Sequence, residues 1–172
     1  MNIRNLKLTP LSSSMKKPSV AEWKTIEEQL GSTLPSDYKQ FITRYRGGAP
    51  EISWFRAIKK SAFPESVACI CHFDKYLAAP NSMADWCSVS AALYKISEEY
   101  PGIIPKGWLV IATDELDNVI VLKIKGSNTG KVGYIIVPQG FEDDVDKIKV
   151  YPLSATFSDF LLMLRETEDE VE

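Results

Sequence analysis

Hydrophobic residues near the N-terminus recur at helical spacing in two short segments, residues 20–30 and 35–45. In the first segment, the apolar positions that share one helical face are Val20, Trp23, Ile26 and Leu30. In the second segment, the corresponding positions are Tyr38, Phe41, Ile42 and Tyr45. Most of the remaining positions are polar or charged, so each segment is predicted to form an amphipathic helix. The pattern therefore predicts a helical hairpin near the N-terminus of the chain.

Residues at the ends of these two segments carry helix start and stop signals. Ser19, with Glu22 three residues later, predicts a capping box in which each side chain accepts from the other residue's backbone N–H. Gly31 suits the left-handed residue that closes the first helix. Pro35 fits the first turn of the second helix, where a missing N–H breaks no hydrogen bond. Gly47-Gly48 is predicted to end that helix.

Beyond residue 50 the period of the pattern alternates between two and 3.6 residues. Period-two alternation predicts strands over residues 52–58, 67–73, 108–113, 119–125 and 131–137. Helical periodicity returns between Pro80 and Pro101, and again over 154–166, where Phe157, Phe160, Leu161 and Leu164 share a face. Consecutive strands joined by short turns favour an antiparallel meander. The predicted fold class is α+β: a single antiparallel-rich sheet with helices packed on it, a helical hairpin at the N-terminus and one helix at the C-terminus.

Composition fits one globular domain with charged ends. The chain has 172 residues, of which 45% are hydrophobic and 25% charged. We expect a basic N-terminal tail over 1–18, a domain over 19–165 and an acidic C-terminal tail over 166–172. The net charge of −3 gives no general attraction to nucleic acid or to an anionic membrane. No signal peptide or membrane span is visible, and three cysteines fit a reducing compartment, so a cytoplasmic location is expected.

The chain lacks the usual patterns of catalysis and metal binding. Cys69, Cys71, Cys87 and His72 are zinc ligands by type, but alternation along a strand puts His72 on the opposite face from its neighbours. The cysteines are therefore predicted to be buried, as small hydrophobic residues. No phosphate-binding glycine loop, Ser–His–Asp order or dinucleotide fingerprint appears. We predict a protein that is not an enzyme and has no cofactor or metal.

Acidic residues and tryptophans remain as candidates for contact with a partner. The acidic positions and the asparagine beside them are Asp114, Glu115, Asp117, Asn118, Asp143 and Asp144. The stretch 114–118 lacks the further ligands and the glycine of a calcium loop, so an exposed turn between strands is favoured. Trp54 and Trp108 each begin a predicted strand. Either could belong to the core or could line a surface groove as an interface anchor.

The order of several sequence blocks resembles the SUKH superfamily. The first block ends a helix with LG, continues with LP and DYKQFI, and closes with GG. IPKGWLVIATDELDNVIVLKI resembles the family's proline-led strand, acidic turn and second strand, KVGYIIVP the next strand, and ATFSDFLLML the terminal helix. The chain departs from the family pattern at one residue and in one turn. Arg46 stands where an asparagine is common, and Glu115 to Asn118 replace a turn that is often rich in glycine.

The resemblance implies a non-catalytic protein-binding module. The superfamily includes bacterial immunity proteins that neutralise polymorphic toxins, and fungal Smi/Knr regulators of the cell wall. The first role implies a cognate toxin domain as partner, with the acidic residues facing a basic cleft and Trp54 or Trp108 as anchors. The alternative is an intracellular regulatory scaffold of the Smi/Knr type, which usually carries long low-complexity arms. The short tails favour the immunity role, and an enzyme would instead predict an enclosed polar pocket.

Overall fold

Six antiparallel strands form one sheet in the part of the chain that the computed structural model describes, residues 6–9, 17–58, 67–73, 104–137 and 148–171. They are β1 (Trp54–Arg56), β2 (Val67–Phe73), β3 (Trp108–Asp114), β4 (Val119–Lys123), β5 (Val132–Ile135) and β6 (Tyr151–Ser154). Each strand pairs with its neighbour in the chain, so their order in the sheet is their order in the sequence. The described helices are α1 (Val20–Leu30), α2 (Ser36–Tyr45) and α3 (Phe157–Met163), with a short 3-10 helix at Glu168–Glu170. The α+β prediction is confirmed.

The predicted capping box is present at the start of α1. Ser19 Oγ accepts from the backbone N–H of Glu22 at 3.3 Å, and Glu22 Oε2 accepts from the Ser19 N–H at 2.7 Å. Gly31 closes the helix in the left-handed conformation, with φ of 60°. Pro35 lies one position earlier than predicted: it is the N-cap of α2, and the helix begins at Ser36. Both helices of the hairpin therefore form where the sequence pattern placed them.

The end of α2 differs from the predicted glycine stop. Arg46 is the residue that takes the left-handed conformation, with φ of 60°, and its N–H donates to Ile42 O at 2.8 Å. Gly47 and Gly48 follow with φ of 83° and 138°. Asparagine tolerates left-handed backbone better than most residues. This preference gives a physical reason for the asparagine that the superfamily commonly has at the position of Arg46.

Aromatic rings from α2, β2 and α3 form the centre of the core. Tyr38, Phe41 and Phe157 are fully buried, and the rings of Phe41 and Phe157 lie 5.1 Å apart. The residues predicted to be buried in α3 and at its C-cap are all buried: Phe157, Phe160, Leu161 and Leu164. The prediction is wrong for one residue of the apolar face of α1, because Val20 is 88% exposed. It lies in the first turn of α1, next to the N-cap.

A β-bulge in β2 alters the predicted alternation of that strand. The register shifts between Ile70 and His72, so Ile70 and Phe73 are both buried while Cys71 is exposed. The prediction of buried cysteines is therefore wrong for Cys71, and Cys69 is half-buried. A bulge inserts one unpaired residue and changes which face the following side chains occupy. Cys87 and the helix predicted between Pro80 and Pro101 lie outside the described residues.

The two edge strands of the sheet each carry a feature that limits further pairing. In β6, which the sequence pattern did not predict, Pro152 has no N–H to offer to another strand. At β1, the backbone of Arg165 pairs with Trp54, with the Arg165 N–H donating to Trp54 O at 2.8 Å. The Arg165 guanidinium also donates to the carbonyls of three residues at the end of α3, each at 3.0 Å: Leu162, Met163 and Leu164. Arg165 thus joins the end of α3 to the sheet edge.

Residues near both ends of the described chain contact the body of the fold. Leu6 is fully buried, and the backbones of Thr9 and Ala49 are hydrogen-bonded to each other. Lys7 Nζ lies 3.7 Å from Glu166 Oε1. The division into tails and a domain at residues 18 and 165 stays a prediction. None of the helices in the described ranges has the length and apolar character needed to cross a bilayer.

Candidate partner-binding groove

An open groove of about 650 Å³ lies at one end of the sheet. It is formed by the starts of β1 and β2, the turn that follows β3, and the residues at the end of β5. Its lining residues are Trp54, Val67, Ala68, Cys69, Asp114, Glu115, Leu116, Asp117, Asn118, Tyr134, Ile136 and Val137. The groove therefore combines most of the predicted acidic residues with apolar side chains from three other parts of the chain.

Asp114 is the centre of a hydrogen-bond network beneath this groove. Its Oδ1 accepts from the backbone N–H groups of Leu116 and Asn118, both at 2.9 Å. Its Oδ2 accepts from Tyr134 Oη at 2.6 Å and from Asn118 Nδ2 at 3.0 Å. Asn118 Oδ1 in turn accepts from the backbone N–H of Val137 at 3.0 Å. These bonds tie the turn after β3 to β5 and to the segment that follows it.

The network confirms turn chemistry at 114–118 but corrects the expectation of exposed acids. Asp114 is 4% exposed and Asn118 is 6% exposed, whereas Glu115 and Asp117 are exposed. Each oxygen of Asp114 already accepts two hydrogen bonds, which a carboxylate needs when it is buried. Removing the charge of Asp114 would therefore disturb a buried network, whereas the sequence pattern had predicted that this residue belongs to an exposed turn. Asp114 positions the turn, and a partner can contact Glu115 and Asp117.

Two exposed apolar residues beside the groove were missed by sequence reasoning. Leu116 is 67% exposed at the tip of the turn, and Ile136 is 44% exposed after β5. Leu116 had one signal in the sequence: a leucine between Glu115 and Asp117, inside a tight turn, has no buried face to occupy. Ile136 had none, because it continues an apolar run that reads as strand. Exposed apolar residues clustered at a concave surface are typical of protein interaction sites.

The structure places the two candidate tryptophans at opposite ends of the sheet: Trp54 on β1 lies near the Asp114 end, and Trp108 begins β3 at the other end. Trp54 is half-buried and lines the groove beside the acidic turn. Trp108 lies six residues before Asp114 in β3, about 20 Å along the strand. It is half-buried, with Lys123 Nζ 5.0 Å from its ring centroid. Trp54 thus joins the candidate site and Trp108 does not, while Asp143 and Asp144 lie outside the described residues.

The ring of Trp108 packs close to Gly133 of β5. A Cβ at Gly133 would meet the Val150 side chain directly and would lie 3.4 Å from Cζ3 of Trp108. The indole therefore lies within van der Waals reach of Gly133, and the side chain of Val150 is what leaves no room for a Cβ there. This arrangement favours a structural role for Trp108 over the anchor role that the sequence left open.

Cys69 shows that the groove is unfavourable for thiol chemistry. Its Sγ lies 3.1 Å from Ser53 Oγ. Burial raises the pKa of the Cys69 thiol, and the negative charges of Glu115 and Asp114 act in the same direction, while the hydrogen bond with Ser53 opposes them. A raised pKa keeps the thiol protonated and poorly nucleophilic. Nor do the described residues include a group of three or more His, Cys, Asp or Glu that could hold a metal ion.

A second depression, on the surface of α1 and α2, has the opposite charge. It is lined by Lys17, Trp23, Ser36, Lys39, Gln40, Thr43 and Arg44. Burial would raise the pKa of the neighbouring Glu27, but hydrogen bonds from Lys39 and from the Leu34 N–H outweigh it and lower that pKa. Lys39 Nζ is 2.9 Å from Glu27 Oε1, so the charge of Lys39 is already paired with a carboxylate of α1. The groove beside Asp114 is therefore the better candidate site.

Tyr134 should make the stability of the fold sensitive to alkaline pH. Burial and the hydrogen bond to Asp114 raise the pKa of its hydroxyl above the ordinary value of 10.0. The unfolded chain therefore loses this proton first, and the stabilisation, complete below pH of about 10, is lost as the pH rises further. The free energy of unfolding should fall by up to about 1.4 kcal/mol per pH unit from this group. Urea unfolding of the wild type and Tyr134→Phe over this range measures the effect. Equal slopes in the two proteins would contradict it.

Comparison with models of known protein families gives a match over most of the chain. A family model described as the SMI1 / KNR4 family (SUKH-1) matches residues 17–163, which include both helices of the hairpin, all six strands and α3. No curated protein matches the chain. The matched range also contains every described residue of the groove.

Proposed function

Because the chain belongs to the SMI1 / KNR4 family (SUKH-1), we propose that it is a non-catalytic immunity protein that binds and neutralises a cognate bacterial toxin domain. The observation that carries this proposal is the exposure of Leu116 and Ile136 at the edge of the groove. Solvent-exposed aliphatic side chains beside a concavity gain free energy when a protein partner covers them. The groove is accordingly the face we assign to the toxin.

The groove suits binding better than catalysis. A general acid or base needs a carboxylate or imidazole that can reach a substrate proton. Both oxygens of the buried Asp114 are occupied by donors from the protein itself. Its Tyr134 partner holds its proton tightly because its pKa is raised. These groups support the turn, and the other two carboxylates of the groove, Glu115 and Asp117, are exposed at a cavity that is open to solvent.

The turn is also held rigidly enough to act as a recognition element. Asp117 has a left-handed backbone with φ of 59°, and the Asp114 N–H donates to Asn118 O at 3.0 Å. Together with the bonds to the Asp114 carboxylate, this fixes both ends of the turn that presents Leu116. Binding then costs less conformational entropy, because the contact residues of this turn are already in place.

Co-expression tests the immunity role directly. The toxin to test is the C-terminal domain of any large protein encoded by a gene next to the one for this chain. We expect this domain to arrest growth when expressed in a bacterial host, and the wild-type protein to restore growth. Leu116→Arg should abolish the rescue, because it places a large charged side chain at the proposed interface. Leu162→Arg is the matched control: Leu162 is 60% exposed, on α3, and its replacement should leave the rescue intact.

Three outcomes would count against the proposal. Growth arrest that the wild-type protein does not relieve would contradict the toxin–immunity pairing. Rescue by Leu116→Arg at the wild-type level would move the binding face away from the groove. The family also contains regulators of the Smi/Knr type, so recovery of a stable partner that is not a toxin would favour a regulatory scaffold instead.

A further inference from the structure

We propose that the groove beside Asp114 takes a cationic apolar segment of a protein partner, with an arginine between aliphatic residues. The inference rests on the proposed protein-binding role, but it does not require the partner to be a toxin. The charge and the apolar surface of the lining residues determine the chemistry of the segment that they can bind.

The described lining of the groove carries negative charge. It contains the carboxylates of Asp114, Glu115 and Asp117, and none of these lining residues is Lys or Arg. Although burial is the main cause of the raised pKa of the Cys69 thiol, the charges of Glu115 and Asp114 also contribute to it. A negative potential therefore extends across the groove from the turn to β2. A positively charged side chain lowers its free energy by entering such a site.

The groove also has an apolar surface, which does not suit a small hydrated cation as the ligand. Trp54, Val67, Leu116, Ile136 and Val137 contribute side chains to the groove, and two of them are among the exposed large hydrophobic residues of the chain. A segment that covers these residues must itself be apolar next to its charge. Lysine and arginine have aliphatic stems, and aliphatic neighbours on either side would extend that contact.

Arginine fits this lining better than lysine. Its planar guanidinium can pair with a carboxylate through two parallel hydrogen bonds and can also stack on an aromatic face. The exposed carboxylates of Glu115 and Asp117 and the indole of Trp54 offer both kinds of partner within one groove. The guanidinium is also more weakly hydrated than an ammonium group, so it is more easily transferred to a partly apolar surface.

An NMR titration with short capped peptides tests the proposal. The probe is Ala-Leu-Arg-Leu-Ala, and the matched peptides replace arginine by neutral citrulline, arginine by glutamate, or both leucines by serine. We expect the probe to shift the indole N–H signal of Trp54 and the signals of Leu116 and Ile136. Citrulline should weaken binding about threefold or more, because it keeps the shape of arginine and removes the charge. Replacement of the leucines should weaken binding about fivefold or more.

Variants of the protein separate the groove from general surface charge. Glu115→Gln with Asp117→Asn should raise the Kd about three- to tenfold, because two exposed carboxylates are neutralised without a change of shape. Glu168→Gln with Asp169→Asn removes the same charge from an exposed segment outside the groove lining and should leave the Kd within about twofold. Leu116→Ser should weaken binding, whereas Leu162→Ser should not.

Several results would overturn the proposal. They are equal binding of the glutamate peptide, an unchanged Kd in the Glu115 and Asp117 double variant, or no shift at Trp54 up to about 5 mM peptide. The growth assay gives an independent readout of the proposed function. Rescue of growth without peptide binding would reject the cationic segment and keep the immunity role. Peptide binding without rescue of growth would keep the cationic segment and reject the immunity role.

Discussion

Replacing Phe41 by alanine should lower the free energy of unfolding by about 3–5 kcal/mol. Phe41 is fully buried, and its ring centroid lies 4.8 Å from that of Phe73 on β2 and 5.1 Å from that of Phe157 on α3. Truncation removes apolar surface and leaves a cavity where α2, the sheet and α3 meet. Three elements then lose contacts together, so the remaining structure cannot easily close the gap.

Urea unfolding followed by far-ultraviolet circular dichroism measures this loss. Leu162→Ala is the matched control, because Leu162 is 60% exposed on α3, and its effect should stay within about 0.5 kcal/mol. If Phe41→Ala lost less than about 1 kcal/mol, the aromatic cluster would not be the centre of the core.

Replacing Asp114 by alanine should lower the free energy of unfolding by a similar amount, about 3–5 kcal/mol. The change removes the acceptor of four hydrogen bonds, including those of the buried Tyr134 hydroxyl and the Asn118 side-chain amide. Donors that are left buried without a partner lose their hydration and regain nothing. The same change should loosen the turn that presents Leu116, so it should also weaken partner binding.

A double-mutant cycle with Tyr134→Phe apportions this effect. The two replacements share one hydrogen bond, so their combined loss should be smaller than the sum of the separate losses by about 1 kcal/mol or more. Asp117→Asn, in the same turn but exposed, is the control and should change stability by no more than about 0.5 kcal/mol. Additive losses, or a small effect of Asp114→Ala, would show that the network does not hold the turn.

The helical hairpin could be predicted from the sequence because its signals are local. The capping box of Ser19 and Glu22, the left-handed Gly31 and the apolar face of Tyr38, Phe41 and Ile42 each depend on residues within one or two turns. The structure contains all of them. The small errors, at Pro35 and Arg46, concern the residues at the ends of α2, where one position either way satisfies the same pattern.

The strands from β3 to β5 were predicted for a related reason. Alternation and turn residues such as Asp117 and Asn128 mark these strands within short windows, and both residues have left-handed backbones in the structure. The unpredicted strand β6 has no such local signal. Tyr151 to Ser154 contains a proline, and only pairing with β5 makes it a strand. The bulge that exposes Cys71 likewise arises from the pairing of β2 with β3.

The role of each residue in the acidic turn depends on contacts that are distant along the chain. Sequence pattern places Asp114, Glu115, Asp117 and Asn118 in one turn, and it assigns them turn chemistry. It does not distinguish the buried Asp114 from the exposed Glu115, because burial here comes from Tyr134, twenty residues away. Trp54 and Trp108 look alike in the sequence, since each begins a strand. The register of the sheet places Trp54 in the groove and Trp108 over Gly133.

Local periodicity and capping thus specify the helices, the central strands and the position of the acidic turn, and the order of these blocks along the chain identifies the family. The capping hydrogen bonds, turn preferences and periodic patterns that mark these elements involve residues close together in the chain, so a short window of sequence contains the information. Burial, hydrogen-bond partners and the sharing of one groove by Trp54, Leu116 and Ile136 arise when β1, β3 and β5 come together in the sheet. Those contacts depend on pairing between distant segments, and no single window of the chain contains them.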